Sequence, residues 1–130
     1  MAKVTVELVS PDRLVWRGEG DLVVVKTTEG EMGIMPNHAP VLAELAEGSV
    51  MRVLSDGQQQ LIAAVHGGFV SMSRNEIQVL SEAAELGEEV DVAEARTALE
   101  RALSSVDESE EAVVEAARAR ARLRAAGAEH

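Results

Sequence analysis

Near the N-terminus apolar and polar residues alternate. Val4, Val6 and Leu8 are separated by Thr5 and Glu7, the period of a half-buried strand. Ser10-Pro11-Asp12 is a turn signal, and Leu14-Val15-Trp16 then runs to Gly18. Leu22-Val23-Val24-Val25 is an unbroken, Val-rich run and predicts a strand covered on both faces. Val50–Leu54 and Leu61–Val65 flank Ser55-Asp56-Gly57-Gln58, a hairpin turn. Phe69–Met72 and Ile77–Leu80 flank Ser73-Arg74-Asn75-Glu76, a second one. Short strands with turns about every 8 to 12 residues predict an antiparallel β-sandwich or barrel.

The period changes near residue 86. All three Pro and every Gly but Gly127 lie at or before Gly87, and Ala and charged residues dominate beyond it. Asp91 is a candidate N-cap, and Val92, Ala95, Leu99, Ala102, Leu103 and Val106 then recur at helical spacing. Ser104-Ser105 and Asp107 interrupt the pattern and are placed to cap a second helix. That helix carries a stripe of Val114, Ala117, Ala121 and Ala125. Its start holds Asp107, Glu108, Glu110 and Glu111, and its end holds Arg118, Arg120, Arg122 and Arg124, both favourable for the helix dipole. Two helices joined by so short a link pack antiparallel. The expected fold is therefore α+β in two parts: a β-sandwich over residues 1–86 and a helical hairpin over 87–130. An Ala stripe offers little area to bury, so the hairpin is expected to dock weakly while keeping good intrinsic helicity.

Composition narrows the function. The chain has 130 residues, 12 Lys+Arg against 23 Asp+Glu, a formal charge of −11 and no Cys. Such a field repels polyanions, which argues against a general nucleic-acid binder. Thiol catalysis, disulfide scaffolds and Cys-ligated metals are excluded. No apolar run approaches the roughly 18 residues of a membrane span. The N-terminal alternation has neither secretory-leader nor transit-peptide character, so a prokaryotic, cytosolic chain is expected. The three His (His38, His66, His130) are far apart, without His-x-x-x-His spacing, so no metal site is expected. No nucleophile elbow is present, and no acid–base–nucleophile set supports an enzyme. Phe69, one of only two aromatics, is expected in the core, and His66 is expected to be structural.

The densest local signal is Gly30-Glu31-Met32-Gly33-Ile34-Met35-Pro36-Asn37-His38-Ala39-Pro40. Gly30 and Gly33 permit unusual backbone angles, while Pro36 and Pro40 stiffen the segment. The expectation is a rigid, irregular loop that presents Glu31 and His38 to a partner. It lacks the Gly-Lys-Ser/Thr ending of a phosphate loop. Gly67-Gly68 suggests a bulge or a close backbone approach. Four arginines at one end of an acidic chain suit docking on an acidic partner or on phosphates.

Together, Gly30-x-x-Gly33-x-x-Pro36-x-His38-x-Pro40, Gly48, Gly67-Gly68-Phe69 and Leu80-Ser81-Glu82-Ala83-Ala84-Glu85 resemble the epsilon subunit of bacterial F-type ATP synthases. The resemblance spans essentially the whole chain. It implies a sandwich of about ten strands and a helical hairpin, non-catalytic within an enzyme that makes ATP. It implies contact of Glu29, Gly30 and Glu31 with the ring of c subunits. Ser10, His38, Pro40 and Val41 would face the gamma subunit. The hairpin would restrain ATP hydrolysis by placing Arg118, Arg120, Arg122 and Arg124 near the beta and alpha subunits. The location implied is the cytoplasmic face of the bacterial plasma membrane, held there through the complex. Some relatives bind ATP on the folded hairpin, which raises ATP as a weak regulatory ligand of Glu85, Asp91, Arg101, Arg118 and Arg122. No other cofactor is implied. Here Glu94 stands where those relatives carry Arg, reversing a charge beside an anionic ligand. The alternative reading is a stand-alone nucleotide sensor whose hairpin closes on ATP.

Overall fold

The computed structural model describes residues 2–104 and 109–128. Ten strands precede two helices: β1 (Val4–Ser10), β2 (Arg13–Gly20), β3 (Leu22–Thr27), β4 (Gly30–Ile34), β5 (Val41–Glu44), β6 (Ser49–Ser55), β7 (Gln58–His66), β8 (Phe69–Ser73), β9 (Glu76–Leu80), β10 (Ala83–Leu86), α1 (Val92–Ser104) and α2 (Glu110–Ala125). The strands form two five-stranded sheets, ordered β2-β1-β9-β8-β5 and β10-β7-β6-β3-β4. They face each other around Val4, Val6, Leu8, Val23, Val25, Ile34, Met51, Val53, Val65, Val70, Ile77 and Val79, each at most 1% exposed. Strand alternation thus places one face of each strand in a single aliphatic core.

Both predicted hairpins form. Asp56-Gly57 closes β6–β7, and Arg74-Asn75 closes β8–β9, each pair with positive φ, as a two-residue turn matched to sheet twist requires. Three expectations are corrected. The sandwich is not wholly antiparallel, because β1 pairs with β9 in parallel. Strand β3 is not covered on both faces: Val23 and Val25 are buried, while Leu22 and Val24 are only half-buried. Gly30–Ile34 is not loop but the strand β4, paired with β3, so the irregular loop is confined to residues 35–40.

The hairpin lies on the outer face of the second sheet. Asp91 caps α1, its Oδ1 accepting the Glu94 amide at 3.0 Å. The cap of α2 is Ser109, whose Oγ accepts the Ala112 amide at 3.2 Å; of the expected caps, Ser104 instead ends α1, and Ser105 and Asp107, with Val106 and Glu108, lie outside the described residues. Helix α2 buries Ala116, Ala119, Ala121, Leu123 and Ala125, and Ala121 and Ala125 pack on Ala64 beside Val50 and Ile62. Helix α1 rides on α2, with Ala95 its buried residue and Leu103 58% exposed. The small side chains bring α2 very close to the sheet. A Cβ at Gly48 would overlap the Ala117 carbonyl, and one at Gly87 would overlap the Ala125 carbonyl. The two glycines that bracket the hairpin's seat are thus the condition for its docking.

Candidate functional site

Three surfaces hold the residues singled out from the sequence. The first is the β3–β4 tip. Thr27, 6% exposed, builds it: its Oγ1 donates to the Gly30 carbonyl at 2.8 Å and accepts the Glu29 amide at 3.1 Å. That local competition with the ladder is what turns the chain here. Glu29, Gly30 and Glu31 are all exposed on this tip, with Gly30 at φ 122°.

The second is the outer face of the first sheet. The loop after β4 is pinned to the β8–β9 turn, since Asn75 Oδ1 accepts the Asn37 amide at 2.6 Å and Asn75 Nδ2 donates to Asn37 Oδ1 at 3.2 Å. His38 follows, exposed, its Nδ1 2.7 Å from the Ala39 carbonyl, and Pro40 is exposed too. Glu31 and His38 therefore sit at opposite ends of β4 rather than on one loop. Val41 opens β5 half-buried. Ser10 is not on this outer face: it is 6% exposed, lines the cavity between the hairpin and the edge of the sandwich, and its hydroxyl donates to Asp12 Oδ1 at 2.7 Å, so its polar group is already satisfied within the chain.

Phe69, expected in the core, is instead 51% exposed on this face, because Ser71 and Ser73 share its side of β8 while Val70 and Met72 take the inner side. Phe69 pairs with Leu80, Leu80's neighbour across β9–β1 is Val9, and Val9 pairs with Leu14. Leu14 and Leu80 are 54% and 49% exposed, and Leu42 on β5 is 77% exposed. An apolar band thus runs from β2 to β8 at the end of the sheet next to Ser10; on β5 the residue opposite Phe69 is Glu44, and Leu42, opposite Ser71, extends the band only diagonally. Sequence reasoning missed this band, although the two-residue period of β8 carried the signal for Phe69.

The third is a cavity of about 1040 Å³ between the hairpin and the edge of the sandwich. It collects Glu85, Arg101, Arg118 and Arg122, but not Asp91, whose carboxylate serves as the α1 cap. Eight carboxylates and four guanidiniums line it. Each guanidinium has a carboxylate partner. Arg13 Nη2 lies 2.8 Å from Glu89, Arg101 Nη2 lies 2.9 Å from Glu115, and Arg118 Nε pairs with Glu47. Arg122 Nε lies 2.8 Å from Glu85, and its Nη1 lies 3.4 Å from Glu94. The hydrogen bond that Arg122 donates to Glu85 raises the Arg122 pKa above its ordinary value. Arg120 is exposed and outside the cavity, as is Arg124. Sequence reasoning did not find Glu47, which is distant in the chain from Arg118.

His66 also lines this cavity, 5% exposed, with Nδ1 unpaired among the described residues. Burial, reinforced by the Arg118 charge, pushes its pKa down to about 4, so the ring is neutral at pH 7. Ser81 Oγ accepts the His66 amide at 3.1 Å, holding β7 against the start of β10. Among the described residues no cluster of His or carboxylates forms a metal site. None of the helices described is long and apolar enough to cross a membrane.

Known proteins share this sequence pattern and fold. Residues 3–87 match the β-sandwich domain of the ATP synthase delta/epsilon chain. Over 129 residues the chain is 53% identical to the ATP synthase epsilon chain of Thermobifida fusca, covering 98% of this chain and 94% of that one. The epsilon chain of Streptomyces avermitilis is 46% identical, covering 98% of each chain. In fold, the chain resembles one from the Euglena gracilis mitochondrial ATP synthase, with TM-score 0.76 and 22% identity, covering 98% of this chain and 81% of that one. The chain belongs to the family of ATP synthase epsilon chains, which are non-catalytic subunits.

Proposed function

We propose that this chain is a central-stalk subunit that couples rotation of the c ring to the catalytic sector, and that its hairpin restrains ATP hydrolysis. The observation that carries the reading is the apolar band Leu14–Val9–Leu80–Phe69 with Leu42. An apolar stripe on the outer face of a sandwich that already has a full core serves a partner. It starts beside Ser10 and reaches β5 only diagonally, through Leu42 next to Val41; His38 and Pro40 lie toward the β8–β9 turn of the same sheet, and this side of the molecule is assigned here to gamma. Glu29, Gly30 and Glu31, on a separate exposed tip, are assigned to the c ring. Arg118, Arg120, Arg122 and Arg124 are assigned to acidic surfaces of the beta and alpha subunits. The chain would sit on the cytoplasmic face of the bacterial plasma membrane, peripherally, through these partners.

The test is ATP hydrolysis by an ATP synthase catalytic sector stripped of this subunit, with the full chain titrated back. A saturable fall in rate with co-sedimentation is expected. Co-sedimentation with an unchanged rate would remove the restraining role, and failure to co-sediment would overturn the central-stalk reading.

The cavity supports a second reading, in which ATP is a weak regulatory ligand of the hairpin. Four of the five residues that the resemblance implies for ATP line one space. Against tight binding, an incoming phosphate meets an excess of carboxylates and must displace Glu85 or Glu94 from Arg122. Calorimetry with micromolar ATP distinguishes the two readings: measurable heat at that concentration supports the nucleotide sensor.

A further inference from the structure

We infer that the docked hairpin is self-liganded, with the chain's own glutamates holding its arginines in the role a bound anion would fill, so that it forms a charge-exchange latch. The latch has two sites on α2, one helical turn apart. Arg118 grips Glu47, on the connection between β5 and β6. Arg122 grips Glu85 on β10 and reaches Glu94 on α1. These pairs tie α2 to both parts of the sandwich edge and to its sister helix. The Arg122 and Glu85 side chains are only 16% and 27% exposed, so this pair is less screened by solvent than an ordinary surface ion pair. Glu94, 67% exposed, adds a weaker outer contact.

The apolar seat beneath the latch is mostly alanine, with Ala121 and Ala125 against Ala64. Alanine buries little area, so the charge pairs add to a weak apolar seat; the Arg118 and Glu47 side chains are 37% and 33% exposed, which makes theirs the more screened of the two sites. The same two guanidiniums cannot hold Glu47 and Glu85 and also grip an external acidic surface. Docking on the sandwich and gripping an acidic partner are therefore mutually exclusive states of α2. Arg120, exposed between them, remains accessible to such a partner while the hairpin is still docked. Release needs neither the loss of a ligand nor melting of the helix. It needs a competing set of carboxylates, or salt.

The test uses the full chain alone, so it stands whether or not the central-stalk reading holds. Amide hydrogen exchange is measured for α2 and for the sandwich at 50 mM and 1 M NaCl, with and without 1 mM Mg-ATP. The same measurement is made on Glu85→Gln and on the double variant Glu47→Gln/Glu85→Gln. Protection of α2 should fall by about tenfold in high salt, and by a similar factor in Glu85→Gln at low salt, as expected for a partly buried charge-assisted pair. The double variant should fall further, while sandwich protection holds and reports that the fold is intact. Mg-ATP should leave wild-type protection unchanged. Unaltered α2 protection in salt and in both variants would overturn the latch. So would a rise in wild-type α2 protection on adding Mg-ATP, because the anion role would then be vacant.

Discussion

His66 shows how much one buried atom records. Its ring is buried within electrostatic reach of Arg118 and Glu47, and Nδ1 has no partner among the described residues. With a folded-state pKa near 4 against 6.5 in the unfolded chain, the unfolded state binds the extra proton between those values. Stability is therefore full above pH 6.5 and declines as pH falls toward 4. From the pKa difference, the wild type should be roughly 2 kcal/mol less stable at pH 5 than at pH 7. Urea unfolding at the two pH values reads this directly, and His66→Gln should remove most of the slope. The carboxylates held low by hydrogen bonds, Asp12 from Ser10 and Glu89 from Arg13, contribute at more acidic pH, so the window from 6.5 to 5 isolates the histidine. Phe69 is the opposite case. Its residue type pointed inward, but its register with Ser71 and Ser73 pointed outward, and register won.

At the scale of elements, most strands and both helices were legible because each follows its own period and is closed by turn or cap chemistry, whereas β4, β5 and β10, four or five residues each and without a clear alternation, were not. Asp56-Gly57 and Arg74-Asn75 sat between alternating runs, and Asp91 preceded a helical stripe. The parallel pairing of β1 with β9 was not legible, since nothing local in either strand encodes a partner some 70 residues away. Nor were the partners of Arg118 and Arg122 legible, because Glu47 and Glu85 approach only after α2 has docked. That docking depends on missing side chains as much as on present ones. Gly48 has φ 63° and lies against the Ala117 backbone. Gly48→Ala should therefore cost the docked state about 1–3 kcal/mol through overlap and strain. The expected signature is faster exchange of α2 amides with helical circular dichroism largely retained, since Ala, Glu and Arg support the helix on their own. Ser109→Ala should instead lower helicity at the start of α2, by about 1 kcal/mol of lost cap.

Across the whole molecule, the apolar band and the hairpin's seat lie on opposite sides of the sandwich, although the hairpin cavity reaches the β1–β2 turn at Ser10 and Arg13. The apolar band is on the outer face of the sheet containing β8 and β9, whereas α2 covers β6 and β7 of the other sheet. The large core cluster draws its buried residues from Val4 to Val79, and the hairpin seat is a separate, small cluster. Removing everything after Glu89 would uncover Val50, Ile62 and Ala64 without opening the main core. Sites this separate should behave additively. A chain ending at Glu89 should thus bind a gamma-containing catalytic sector within about twofold of the full chain, while losing the restraint on hydrolysis. The double variant Phe69→Ser/Leu80→Ser should do the reverse. Both side chains are about half exposed, so their loss leaves the core intact. As adjacent anchors of one band they should together weaken binding by about thirtyfold or more. Co-sedimentation and hydrolysis titration of the two proteins in parallel check this division. Equal loss of binding in both would mean that the hairpin belongs to the docking surface, and that the sandwich does not act as an independent base for it.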